Sequence, residues 1–529
     1  MRQISRRAFL EGMVGTGALG AVLIGSSDVA YWLRRVTWQR TPGVRLVLTG
    51  TVVTFHPDTP VIDNGAIYID ERGLIEAVEP AGGLAPSGYR AAARVDTGGA
   101  IYPGLIDLHN HPFYDMRSLW TPHETTPYLS RSQWQREAQF LRDIGSPDAP
   151  LLSYWKFAEE ETLKYVELKA LVSGVTMLQG LDPRVLGRAT PREGRLVRHV
   201  EHERRADGRQ VAASFVFRPD APDPFTLFRT TMANGTVVIY HLAEGSDPDL
   251  GRDFEELYQN GCIGPRFVGI HANALNAEQF HRWAGQGGTL VWSPLSNFWL
   301  YGQTTDVASA RQAGLRICLG PDWSVSGSKN LLGELKVADL WNHHHLNGLF
   351  GDQDLCEMVT SSPADALDLG DRLGRIRVGL RADLVVMAQR HSNPYRNLIQ
   401  STEDHVLLVV VEGRVCYGTP EIVRATRAAN VEPVRVSNAT RAVSMPDPTI
   451  ASSVRSWSDV VTTLERVRAT EQLRGLLPLA PQGALPPLDT FAPDEPYFRT
   501  LEAAAIPGTA LSGLRNYYAN LASADLATV

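Results

Sequence analysis

Between about Gly104 and Leu369 the chain alternates short apolar runs with helical patterns, and few architectures accommodate that alternation. The runs Val175 to Leu178, Val211 to Phe217, Thr236 to Tyr240, Phe267 to Ile270, Thr289 to Trp292 and Arg316 to Leu319 read as strands rich in β-formers. Glu159 to Ser173 reads as a helix, with Leu163, Val166 and Ala170 on one stripe and Gly174 as its stop. Strands separated by helices pair in parallel, so the middle of the chain is predicted to be α/β, a (β/α)8 TIM barrel over 104–369.

The flanks follow a different grammar. Val44 to Thr49, Ala66 to Ile69 and Leu74 to Val78 are short strands separated by polar turns, and the pattern returns only in Ala382 to Met387 and Val406 to Val415. Residues 44–103 and 370–425 are therefore expected to combine into one small composite β domain, a sandwich formed by both flanks. Pro112 to Pro150 interrupts the repeat with a long Trp-, Pro- and Arg-rich insertion over a barrel mouth, where long loops carry function. Residues 426–529 form a C-terminal extension without an assigned role, with one helical pattern near Val454 to Leu473.

Composition removes several classes. With 43% hydrophobic and 21% charged residues in 529, the chain is globular, and a net charge of -7 gives nucleic acid no electrostatic attraction. A small-molecule substrate is expected, and oligomeric state is not legible. Cys262, Cys318, Cys356 and Cys416 lack the spacing of a metal knuckle or redox pair and read as buried apolar residues. At the N-terminus, Ser5-Arg6-Arg7-Ala8-Phe9-Leu10 precedes a Gly/Ala/Val/Leu run to Gly25. Residues 1–30 resemble a twin-arginine signal, which implies the Tat export machinery as a partner and a periplasmic or extracellular location. Asp28, close to Ala30, fits a cleavage site poorly, so an uncleaved membrane tether stays open.

The chemistry gathers at strand ends. In Gly104-Leu105-Ile106-Asp107-Leu108-His109-Asn110-His111, the i and i+2 histidines share a face at the end of an apolar strand, a metal-ligand arrangement. Val237 to Tyr240 ends in His241, with Glu244 three residues on. Phe267 to Ile270 ends in His271, and Ile317 to Leu319 leads to Asp322. Each alone would pass as a polar cap, but successive strand ends of one barrel would bring them together.

With Ser293-Pro294-Leu295-Ser296-Asn297 and Leu373-Gly374-Arg375-Ile376-Arg377-Val378-Gly379 added, the ordered set resembles the amidohydrolase superfamily over roughly Val44 to Thr419. Within it the sequence is most similar to the branch of cytosine and guanine deaminases and triazine hydrolases. That resemblance implies one divalent metal on His109, His111, His241 and Asp322, zinc first, with iron or manganese compatible. The strand Val211 to Phe217 has no lysine to bridge a second ion. It further implies catalytic roles for Glu244, His271 and Asp322: Asp322 orients water and accepts its proton, Glu244 passes a proton to the leaving nitrogen, and His271 polarises the bond under attack. His271-Ala272-Asn273 and Asp322-Trp323-Ser324 depart from the deaminase pattern, and Trp120, Trp134, Trp155 and Trp323 could line an aromatic pocket.

The leading reading is an exported metal-dependent hydrolase of non-peptide carbon-nitrogen bonds, such as a cyclic amide. The alternatives are an aminohydrolase of an aminated N-heterocycle and, behind it, a non-catalytic extracytoplasmic binding protein.

Overall fold

The computed structural model describes residues 44–473 apart from 117–119, 121–126, 142–143, 145–157, 181–194, 220, 437–438 and 447–455. The signal-like residues 1–30, Trp155 and the chain beyond 473 lie outside the described residues.

Four strands, β1 (Leu46–Val53), β2 (Val61–Ile69), β3 (Ile75–Pro80) and β4 (Ala93–Pro103), open the chain. Eight shorter strands follow: β5 (Leu105–Asp107), β6 (Val175–Leu178), β7 (Arg198–His199), β8 (Ala212–Phe215), β9 (Val237–Leu242), β10 (Phe267–His271), β11 (Thr289–Trp292) and β12 (Arg316–Leu319). The last five are β13 (Leu384–Ala388), β14 (Val406–Val411), β15 (Arg414–Gly418), β16 (Val431–Val436) and β17 (Ala439–Ser444).

The central strands form parallel sheets, β8 to β12 in sequence order as one of five and β5 to β7 as one of three. A parallel bridge from Asn110 to Asp322 joins the chain just past β5 to the chain just past β12. Parity along the strands separates two cores. Val237 and Ile239 of β9, Val268 and Ile270 of β10, Val291 and Cys318 pack on one another in an inner cluster. Val238, Tyr240, Leu242 and Phe267 face the other way, into the layer that the helices cover. Strands apolar on both faces are what parallel β/α packing requires.

The outer strands make one nine-stranded sheet in the order β16-β17-β15-β14-β13-β4-β1-β2-β3. It combines segments from both ends of the chain, as the flanks' shared pattern indicates. It also runs on through β16 and β17, past residue 425, where the sequence placed the start of the extension. Val431 to Ser444 has too many charged and polar positions to show as a strand pair, and pairing to β15 rather than apolar run length supplies the order.

Of the insertion, Trp120, Tyr128, Trp134 and Phe140 join Trp299, Tyr301, Trp323 and Val325 in a separate aromatic cluster. All four cysteines are free and buried. No helix among the described residues is long and apolar enough to cross a membrane.

Candidate metal centre and active site

The parity of β9 continues from Val237 and Ile239 to His241, so the imidazole stands at the end of the inner face. Cys318, Gly320 and Asp322 extend β12 in the same way. Gly320 is required by close approach: a Cβ there would lie 2.4 Å from His109 Cβ and 2.8 Å from its nitrogen. Asp322 N donates to His109 O at 2.9 Å, which locks the two segments together.

Those segments bring four side chains to one point. His109 Nε2 and His111 Nε2 each lie 3.2 Å from His241 Nε2. Asp322 Oδ1 is 3.2 Å from His109 Nε2 and 3.4 Å from His111 Nε2. These are four of the six edges of a tetrahedron, and a regular one of that edge has its corners about 2.0–2.1 Å from its centre, the bond length of zinc to imidazole or carboxylate. Ring nitrogens meeting at these distances cannot all be satisfied by shared protons, and His241 Nδ1 is buried without a partner. Burial pushes the His111 imidazole down to about 4 against the pull of Asp322, and burial with the neighbouring histidines holds His241 well below the usual range. Both shifts favour the neutral imidazole, the form that ligates, and the donor set fits one divalent ion.

The motif Ser293 to Asn297 supplies the supports. The helix Pro294–Tyr301 starts directly after β11, and three of its first residues or their neighbours reach the site. Ser293 Oγ lies 2.7 Å from His109 Nδ1, Ser296 Oγ donates to Asp322 Oδ2 at 2.5 Å, and Asn297 Nδ2 lies 3.0 Å from His271 Nδ1. Asn297 Oδ1 accepts from Thr304 and Thr305, which orients the amide so that Nδ2 donates to His271. His271 therefore carries its proton on Nε2, which is buried, unpartnered and 3.7 Å from Glu244 Oε2. It lies near enough to His109 and His241 to be a candidate ligand by distance, but its tautomer makes it a donor.

Glu244 has its own cradle. Tyr301 Oη donates to Oε1 at 2.6 Å, Arg131 Nη1 donates to Oε2 at 3.1 Å, and Trp134 Nε1 donates to Tyr301 Oη. Burial raises the Glu244 carboxyl against the pull of Arg131. Asp322 goes the other way: burial would raise it, but His109, by charge and hydrogen bond, and His111 outweigh that and hold it below the usual carboxylate range. Two carboxyls in one site with opposite shifts are suited to different jobs. Non-glycine residues in the left-handed region concentrate here, at Ala243 (φ 46°), His271 (φ 65°), Ala272 (φ 53°) and Asp322 (φ 67°). Trp323 covers His111 at a ring separation of 5.4 Å, with Tyr114 against it at 4.9 Å.

All six residues singled out from sequence thus converge. Arg131 and Tyr301 were not foreseen, because their approach to Glu244 depends on tertiary placement, of the insertion for Arg131 and of the helix Pro294–Tyr301 for Tyr301. Ser293, Ser296 and Asn297 were recognised as a motif but not as supports. His199 and His202 lie apart from the site, His199 on Glu167 at 2.7 Å and His202 on Arg195 at 2.9 Å. His343, His344 and His345 close the helix Leu331–His345, as the polar run suggests.

The parallel α/β core, the strand-end donor set and the paired carboxyls fit a metal-dependent hydrolase, and known proteins show similar features. Residues 247–417 match the Amidohydrolase family, a stretch that includes His271 and Asp322. A 5-methylthioadenosine/S-adenosylhomocysteine deaminase of Syntrophobacter fumaroxidans is 26% identical over 410 residues, 70% of this chain and 92% of that one. A 5'-deoxyadenosine deaminase of Methanosarcina barkeri is 25% identical over 411 residues, with the same coverage. Among solved structures, an adenosine deaminase from Xanthomonas campestris with bound zinc superposes with a TM-score of 0.58 at 18% identity, covering 81% of this chain and 99% of that one. An atrazine chlorohydrolase from Arthrobacter aurescens complexed with zinc and atraton gives 0.57 at 18% identity, covering 82% and 100%. The chain is thus a hydrolytic enzyme acting on carbon-nitrogen bonds, similar over most of its described length to deaminases and hydrolases of the amidohydrolase superfamily.

Proposed function

We propose that the enzyme is a zinc-dependent aminohydrolase that releases ammonia from an adenosine-type nucleoside. The observation that carries this reading is the approach of His111, His241 and Asp322 to His109, beside a Glu244 tuned oppositely to Asp322. The deaminase relatives favour it over the cyclic-amide hydrolase that the sequence first suggests. His109, His111, His241 and Asp322 would hold the metal. When bound, zinc supplies a Lewis acid that lowers the pKa of water from about 16 toward about 7.

The chain's own groups do the rest. Asp322, held ionised and fixed by Ser296, orients the attacking water. Glu244, with its raised affinity for protons, takes one from water and delivers it to the departing nitrogen. Tyr301 and Arg131 fix the two oxygens of Glu244 so that the transfer follows one path. His271 presents Nε2–H to the developing negative charge, with Asn297 keeping that tautomer. Trp323 and Tyr114 give a flat heterocycle an apolar wall.

The same reading closes the two parallel sheets into one (β/α)8 barrel, supported by the Asn110–Asp322 bridge between their outer ends. It makes the nine-stranded sheet a composite β domain folded as a sandwich, and it retains twin-arginine export on the pattern of residues 5–25. Ammonia release from 5'-methylthioadenosine, S-adenosylhomocysteine and adenosine, run beside a lactam panel, is the test. Turnover of a nucleoside with stoichiometric ammonia is expected. Turnover of lactams alone would return the assignment to cyclic amides.

A further inference from the structure

Away from the metal ligands, a cleft of about 60 Å³ is lined by Arg198, Glu203, Arg204, Leu369, Arg372, Leu373 and Arg381. That is several times the roughly 10–15 Å³ one water needs. Four arginines line this one small cleft, with Glu203 as the one carboxylate of the lining. Their partners differ. Arg198 is buried and fully matched, by Asp383 at 2.6 Å, Glu412 at 2.6 Å and Glu203 at 3.2 Å. That pairing engages Glu203, the one acid of the lining, through Oε1.

Arg204 and Arg372 are matched poorly. Arg204 Nη1 donates only to main-chain carbonyls among the described residues, Glu201 O at 3.4 Å and Glu203 O at 3.3 Å. Arg372 Nη1 donates to Arg204 O at 3.1 Å, and its nearest carboxylate, the exposed Asp371, stands 4.0 Å from Nε. The Arg372 to Arg204 O bond brings the second arginine onto the backbone of the first. Arg381 N donates to Arg372 O at 2.9 Å, which ties the third to the same point. The Arg204 and Arg372 guanidiniums, tethered by carbonyls, keep donors for another acceptor, and their planar forks suit the oxygens of a phosphate.

We propose that this cleft binds the phosphate group of a small metabolite, at a site separate from the catalytic centre. The apolar Leu369 and Leu373 give the floor a dry side, which strengthens charge-assisted hydrogen bonds.

The test uses the metal-loaded full chain, titrated calorimetrically with inorganic phosphate and with pyrophosphate in chloride buffer at constant ionic strength. Saturable one-to-one binding is expected, at least tenfold weaker in the Arg204→Gln/Arg372→Gln double variant, whose metal content and turnover without phosphate match the parent. If the double variant loses fold or metal, Arg204→Gln alone carries the test, with binding at least threefold weaker. Binding that never saturates, or that is equal in parent and variant, overturns the site. Citrate binding as tightly as pyrophosphate overturns its assignment to phosphate.

Discussion

The support of His109 by Ser293 can be weighed from its geometry. Both side chains are fully buried, and Ser293 Oγ lies 2.7 Å from Nδ1. In Ser293→Ala the imidazole keeps its place between Gly320 and Ser293, but Nδ1–H loses its only acceptor in a dry site. An unsatisfied buried donor costs about 1–3 kcal/mol, and loss of such an outer partner weakens metal binding by about 10- to 100-fold. The two ranges agree, since 1.4 kcal/mol is about one decade. Competition against a chromophoric chelator should therefore give a zinc Kd raised by about one to two decades in Ser293→Ala. The exposed-network change Ser309→Ala should leave it unchanged. A shift under about threefold in Ser293→Ala would show that Ser293 does not hold the ligand and that the motif serves packing alone.

Further outcomes follow from other contacts. Glu244→Gln should keep metal and fold yet lose about 100-fold or more in turnover, whereas His109→Ala should lose metal; equal metal loss in both would reject the proton-carrier role. Tyr301→Phe removes one of the two donors on Glu244 and should lower kcat about tenfold with KM unchanged, read by steady-state kinetics. Glu334, buried beneath Leu295 N and Ser328, is pushed up to about 8 by burial. A carboxyl with a raised folded value binds more protons folded than unfolded, so it favours folding below about 4.5 and loses that contribution as pH rises through about 8. Glu334→Gln should accordingly gain a few kcal/mol relative to the parent at pH 9 over its value at pH 5, on the order set by the shift. Parallel thermal melts at the two pH values that show no such gain would contradict it.

The sequence made the parallel core legible because its strands are apolar on both faces: Val175 to Leu178, Thr289 to Trp292 and Arg316 to Leu319 have the predicted limits. The strand Arg198–His199 escaped notice, since two charged or polar residues carry no apolar signal and their order comes from pairing to Met177 and Leu178. Five site residues, His109, His111, His241, His271 and Asp322, were legible at strand ends, and Glu244 by its spacing from His241. His271 is off the parity of Val268 and Ile270, and its left-handed backbone, which no pattern announces, accompanies its place in the cluster. Arg131 reaches Glu244 across 113 positions, a contact that only folding of the insertion creates.

The central claim is tested most directly by reconstituting metal-free protein with zinc in steps and following ammonia release from 5'-methylthioadenosine. The account predicts activity that rises linearly and breaks at one equivalent per chain. Ammonia release that is independent of zinc, or a break at two equivalents, would contradict it.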